Sequence, residues 1–170
     1  MNKLIIALFL CLSFTANADP APFGLEIGKA TVNDVKKKYK SEYTGNNKYS
    51  HGDMYSLDIN EIGIDGLQSA TAIFDKRKKL VAILTKFPKL KFDYLFSTMN
   101  QKYKVSSKNI PFVGNKSANF KNGKTTIFLD APHLSFEMTM NYVNNDFWQT
   151  YQNMQRKEVQ DQKNVEQSKL

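Results

Sequence analysis

Few residues in this chain are of the types that do acid–base or nucleophilic chemistry. There are two histidines, His51 and His133. Ser50-His51-Gly52-Asp53 places a hydroxyl, an imidazole and a carboxylate within four residues. A hydrolytic triad needs its members delivered from distant segments in fixed geometry, so four neighbours read as a polar turn. His133 follows Pro132 and lies three residues after Asp130. A metal centre needs three or four converging ligands, and no spacing around either histidine supplies them. Asp58, Glu61 and Asp65, beside Gly63 and Gly66, match no calcium loop and read as solvated turn residues. No Gly-rich phosphate loop, His-Glu-x-x-His or nucleophile elbow occurs. No catalytic, cofactor-binding or metal-binding residue is therefore assigned, and no cofactor is expected. The chain is expected to be non-catalytic, with a small hydrolase using His51 or His133 as the least favoured reading.

The N-terminus gives an address. Lys3 precedes an almost unbroken apolar run from Leu4 to Phe14, and Ala16-Asn17-Ala18 follows. This is the layout of a secretory signal peptide over residues 1–18, with cleavage marked by Ala16 and Ala18 before Asp19. An uncleaved anchor is the minor alternative, because the run falls short of about 20 apolar residues and Asp19-Pro20 ends it. Cys11 makes a poor lipobox, since Phe9 and Leu10 stand where small residues are wanted. Cleavage leaves residues 19–170, enough for one domain with a real core. It removes the only cysteine, so the mature chain is expected to have no disulfide. No second apolar run of spanning length follows, and a periplasmic or secreted location without a transmembrane segment is expected.

Charge narrows the partners. The net charge is +8, falling to +7 when Lys3 leaves. Arg77 and Arg156 are the only arginines. Nucleic-acid readers favour the planar fork of arginine, whereas lysine gives diffuse attraction to anionic surfaces. No nucleic-acid partner is expected; an envelope protein, or an anionic membrane or glycan surface, is. Lysines gather at Lys36, Lys37, Lys38 and Lys40, at Lys76-Arg77-Lys78-Lys79, and at Lys86, Lys89 and Lys91. Such runs usually occupy solvated turns and helix faces.

The elements that would position any surface can be placed from pattern. Residues 19–24, with two prolines, read as an extended leader, and Leu25–Gly28 as a short strand. Thr31–Lys40 reads as a helix: Thr31 caps, Asp34 completes a capping box, and Val32, Val35 and Tyr39 share a face. Tyr43, Tyr49, Tyr55, Leu57 and Ile59 mark strands. Residues 69–75 and 80–87 read as a hairpin joined by Lys76–Lys79, the second arm apolar enough to be buried on both faces. Lys91–Tyr103 is a helix carrying Phe92, Leu95, Phe96, Met99 and Tyr103 on one stripe, read as core. Asn122-Gly123 is a hairpin turn between 118–121 and 124–130. Leu134, Phe136, Met138, Met140 and Tyr142 alternate with polar residues, which predicts a strand over 134–142 with all five facing a dry side. Asn145 caps a final helix with Phe147, Trp148, Tyr151 and Met154 on its apolar face, and 156–170 reads as a polar helical extension or a frayed tail. Lys38-Tyr39-Lys40 and Lys102-Tyr103-Lys104 end two helices at an offset of 64 residues, pointing to helix-plus-strands pseudo-repeats over 25–87 and 88–143.

The segment Phe23-Gly24-Leu25-Glu26-Ile27-Gly28-Lys29-Ala30-Thr31-Val32-Asn33-Asp34-Val35 resembles the strand–Gly–Thr-x-x-acidic-Val entry of small bacterial envelope proteins. Examples are outer-membrane assembly lipoproteins of the SmpA/OmlA type and the tandem β-lactamase-inhibitor-like proteins. The resemblance implies short helices on an antiparallel sheet and function by binding other proteins. Together these readings predict an α+β fold: an antiparallel sheet with short helices packed on one face, a tandem duplication, and a C-terminal helix, in one domain over 19–155. The expected function is an exported interaction module of the bacterial envelope; the alternative is a peripheral binder of an anionic membrane or glycan surface. Its contact surface is expected to involve Tyr43, Tyr55, Phe128, Lys76, Arg77, Lys78 and Lys79.

Overall fold

A computed structural model describes residues 18–170. The apolar run, Cys11 and Ala16 lie outside the described residues. The chain is α+β. Helix α1 (Val32–Lys38) leads into strands β1 (Ser41–Asn46) and β2 (His51–Leu57). A short helix α2 (Ile59–Ile62) precedes β3 (Ser69–Asp75) and β4 (Leu80–Pro88). Helix α3 (Phe92–Lys102) is followed by β5 (Lys104–Asn109), β6 (Lys116–Asn122), β7 (Thr125–Ala131) and β8 (Glu137–Asn144). Helix α4 (Asn145–Gln167) ends the chain.

All eight strands form one antiparallel sheet in the order β1-β2-β3-β4-β8-β7-β6-β5. A helix leading into four strands thus occurs twice, with α2 inserted between β2 and β3 in the first set, and the strand order mirrors about the β4–β8 pair. Because β4 and β8 are antiparallel, the β1–β2 and β3–β4 turns lie at one end of the sheet. The β5–β6 and β7–β8 loops lie at the other.

Residue pattern accounts for the faces. One cross-strand row runs through Val105, Phe120, Ile127, Tyr142, Ile83, Ala72, Tyr55 and Tyr43. Against this side pack α1, through Val32 and Val35, and α3, through Phe92, Leu95 and Met99, burying Phe74, Phe87 and Phe120 completely. Helix α1 starts as its sequence dictates: Thr31 Oγ1 accepts from the Asp34 amide at 3.3 Å, and the Asp34 carboxylate accepts from the Thr31 amide at 2.8 Å. The Thr31 hydroxyl, which donates to the same carboxylate at 2.7 Å, and then the Thr31 amide hold the Asp34 carboxyl below the ordinary carboxylate value.

The other side is not left bare. Phe147 and Trp148 of α4 pack on Ile73, Val81, Ala82 and Val143, with Met54 and Phe128 alongside. Asn144 caps α4 by accepting from the Asp146 amide at 3.0 Å. The helix reaches the β1–β2 turn, where the Tyr49 and Tyr151 rings meet edge to face at 4.8 Å and Lys48 pairs with Glu158 at 2.9 Å. It stays helical through Gln167, beyond the point at which apolar residues thin out.

Several segments differ from the pattern reading: Tyr49 lies in the β1–β2 turn, Ile59 opens α2, and Asn144 rather than Asn145 caps α4. Residues 22–24 form a 3-10 turn with Pro22 in its first position, where a missing N–H costs nothing. Leu25–Gly28 is not a strand. Gly28 turns at φ +81°, its amide donates to Leu80 O at 2.7 Å, and Leu25 and Ile27 are buried. The strand expected from 134 begins only at Glu137, so Leu134 and Phe136 are outside the sheet.

Candidate functional site

The groups expected to be chemically idle are dispersed. His51 is exposed at the start of β2 at φ 53°, and His133 sits in the β7–β8 loop at the opposite end of the sheet. Ser50 Oγ donates to Phe74 O at 2.7 Å, so it is used as a brace. Gly52 is required there, since a β-carbon would lie 2.2 Å from Phe74 O. Asp58 caps α2 by accepting from the Asn60 amide at 2.9 Å; Glu61 pairs with Lys40 and Asp65 with Lys91. No group of three or more His, Cys, Asp or Glu side chains among the described residues could hold a metal ion. Among them, no helix is long and apolar enough to cross a membrane.

The expected contact residues do not converge. Tyr55 is buried in the helix-facing core, edge to face with Phe74. Phe128 is on the opposite side, half-covered by Trp148 at 4.7 Å. Tyr43 is exposed near the sheet edge, against Tyr55. Lys76, Arg77, Lys78 and Lys79 form the β3–β4 turn, at the end of the sheet shared with Lys48 and Lys124. Beside this turn is an open cleft of about 570 Å³, lined by Lys29, Arg77, Lys79 and Lys124 but also by Asp19, Asp75 and Asp146. Arg77 Nε donates to Asp75 at 3.1 Å, and Asp19 accepts from the Lys124 amide at 2.6 Å. The basic end is thus partly neutralised.

The other end of the sheet has a different character. Leu90, Phe112, Leu134 and Phe136 are 94–103% exposed there. Val113 and Tyr94 are also largely exposed. Apart from Tyr94, which is on α3, these residues come from three adjacent loops: residues 88–92 around the end of β4, 110–115 between β5 and β6, and 132–136 between β7 and β8. Scattered apolar surface residues are ordinary, but a group on neighbouring loops is a candidate contact surface.

The loops are tied together. The Lys89 amide donates to Phe136 O at 2.8 Å, and Lys89 Nζ donates to the Pro132 and His133 carbonyls at 2.6 and 2.7 Å. The His133 amide donates to Asn115 Oδ1 at 2.7 Å, and Asn109 Nδ2 to Asn115 O at 3.2 Å. The two acids that immediately flank these segments are paired: Asp93 with Lys116 at 3.1 Å and Glu137 with Lys86 at 3.2 Å. Nearby on the sheet, burial raises the Asp130 carboxyl above the ordinary value.

Sequence reasoning missed this group. Alternation assigned Leu134 and Phe136 to the core, and Phe112 passed as part of a loop. One signal was available: Leu90, Phe112 and Leu134 each stand one or two residues after a proline, at Pro88, Pro111 and Pro132. A large apolar side chain next to a strand breaker has no sheet position to bury it.

Comparison with protein-family models, characterised proteins and solved structures gives no match.

Proposed function

We propose that this chain is an exported, non-catalytic binding module of the bacterial envelope, and that the apolar loop end of the sheet is its contact surface. The observation that carries the reading is the near-complete exposure of Leu90, Phe112, Leu134 and Phe136 on three loops braced by hydrogen bonds. Bracing means that little ordering entropy is lost when the surface is covered. The export signal and the dispersed histidines support the same reading.

A photo-reactive residue at position 112 tests it. Crosslinking in the native envelope is expected there and not from the same residue at position 43, and Phe136→Ser should suppress it. Unchanged labelling in that variant, or turnover of a small-molecule panel that is lost when both histidines become alanine, would refute the reading. The basic end carries the alternative, attachment to an anionic glycan or membrane through Lys76, Lys78 and Lys124. Binding of that kind weakens steeply with salt.

A further inference from the structure

We infer that the apolar loop end is a membrane-interface anchor that seats Leu90, Phe112, Leu134 and Phe136 in the headgroup and upper acyl region of a phospholipid bilayer. This rests on the proposed binding function and names its partner.

The shape of the surface argues first. Side chains that are 94–103% exposed project from three separate loops. A rigid protein partner would need a separate socket for each of them. A fluid bilayer closes around all four without shape complementarity. Burial of apolar area in the interfacial zone is how peripheral proteins hold to lipid, and Phe and Leu are the side chains such surfaces use.

Charge argues second. Within the three loops and their first flanking residues, the acids are Asp93 and Glu137, each paired with a lysine. Lys89, next to Leu90, has only carbonyl partners. Lys108, two residues before Ile110, has no carboxylate partner among the described residues. A headgroup phosphate approaching the tips therefore meets the ammonium groups of Lys89 and Lys108, while the nearest unpaired carboxylate, Asp130, stands two residues before the 132–136 loop. Both lysines have long stems that let the charge stay at headgroup level while the apolar tips go deeper. Tyr94, largely exposed on the first turn of α3, is of the amphipathic type favoured at that depth.

The end of the molecule argues third. In the first half of the chain the β1–β2 and β3–β4 turns carry Lys48 and Lys76–Lys79, at the far end of the sheet. In the second half the corresponding connections carry Phe112, Val113, Leu134 and Phe136. Leu90, Phe112, Val113, Leu134 and Phe136 share one end of the sheet, so their insertion fixes the orientation of the domain.

The test is co-sedimentation of the mature chain with phosphatidylcholine vesicles and with vesicles containing one-third phosphatidylglycerol, at low and high salt. The native chain is expected to bind both, with a modest preference for the anionic vesicles. Phe112→Ser and Phe136→Ser are each expected to weaken binding on the order of tenfold. Both side chains are in water, so the variants should fold, which circular dichroism checks. A polarity-sensitive dye on Phe112→Cys should shift to the blue on vesicles, while the same dye on Lys78→Cys should not. Failure of the native chain to bind either vesicle, unchanged binding by the serine variants, or a dye shift only at position 78 would overturn the anchor. Absence of vesicle binding together with protein crosslinks from position 112 would overturn it while leaving the binding-module reading standing.

Discussion

Replacing Phe136 by serine should leave the stability of the domain almost unchanged, although the residue continues an apolar alternation into the core. The ring is 95% exposed in the folded chain, so it is in water before and after unfolding. Exchanging it removes almost no buried area, and surface changes of this kind stay within about 0.5 kcal/mol. If the strand began at Leu134 with Phe136 inward, the same change would empty a core site and cost about 3–5 kcal/mol. Met138, two residues on, supplies the contrast. It is 1% exposed and part of the helix-facing core. Met138→Ala should cost about 2–5 kcal/mol, a large share of the roughly 5–15 kcal/mol that holds a domain together. In urea, with a slope of about 1–3 kcal/mol per molar, Met138→Ala moves the midpoint down by a molar or more, whereas Phe136→Ser moves it by a few tenths at most. A loss above about 2 kcal/mol in Phe136→Ser would refute the placement of the loop, and with it the contact surface.

Other outcomes follow from particular contacts. Thr31→Ala removes the α1 cap and should cost about 1 kcal/mol in denaturant unfolding. Asp34 has a depressed carboxyl, so its contribution is present above its unfolded value of about 3.9 and lost as pH falls through the lower folded value; Asp34→Asn should flatten the acid limb of the stability–pH curve. Asp130 has the opposite sign: its raised carboxyl means that folding favours the protonated form, with stability lost as pH rises through the folded value. Asp130→Asn should therefore be neutral or stabilising at pH 7, with the gain vanishing below about pH 3.9. Trp148→Ala uncovers Phe128 and should cost about 1–3 kcal/mol, less than a fully buried tryptophan, measured by thermal or urea unfolding.

The sequence was informative where local chemistry decides the structure. The Thr31–Asp34 capping box, the Asn122-Gly123 turn and the apolar stripe of α3 each act over a few residues, and each corresponds to an element of the fold. Pairing across the chain was not legible. That β4 lies against β8 depends on apolar strands with no turn between them, and any of several such strands would satisfy the same pattern. The start of β8 fails for a related reason. Alternation reports which side residues face if they are paired, but not where a partner runs out. Here β4 ends at Pro88, which has no N–H to give, and the Lys89 amide takes Phe136 O as the chain leaves the sheet. Beyond that point Leu134 and Phe136, of the right parity for the core, stand in water.

That failure is also what exposes the site. Local pattern and global fold agree over most of the chain, as a well-funnelled sequence requires. They part at Leu134 and Phe136, and again at Leu90 and Phe112, where folding gains nothing from a large apolar side chain and serine would serve the loop as well. A residue that adds solvent-exposed apolar area raises the risk of self-association without stabilising the domain. Four such residues on three loops at one end, with a lysine-bearing end opposite, are therefore better explained by what covers them than by what supports them. The stability of the serine variants and their loss of binding are then two sides of one expectation: positions that do not matter for folding should be the ones that matter for contact.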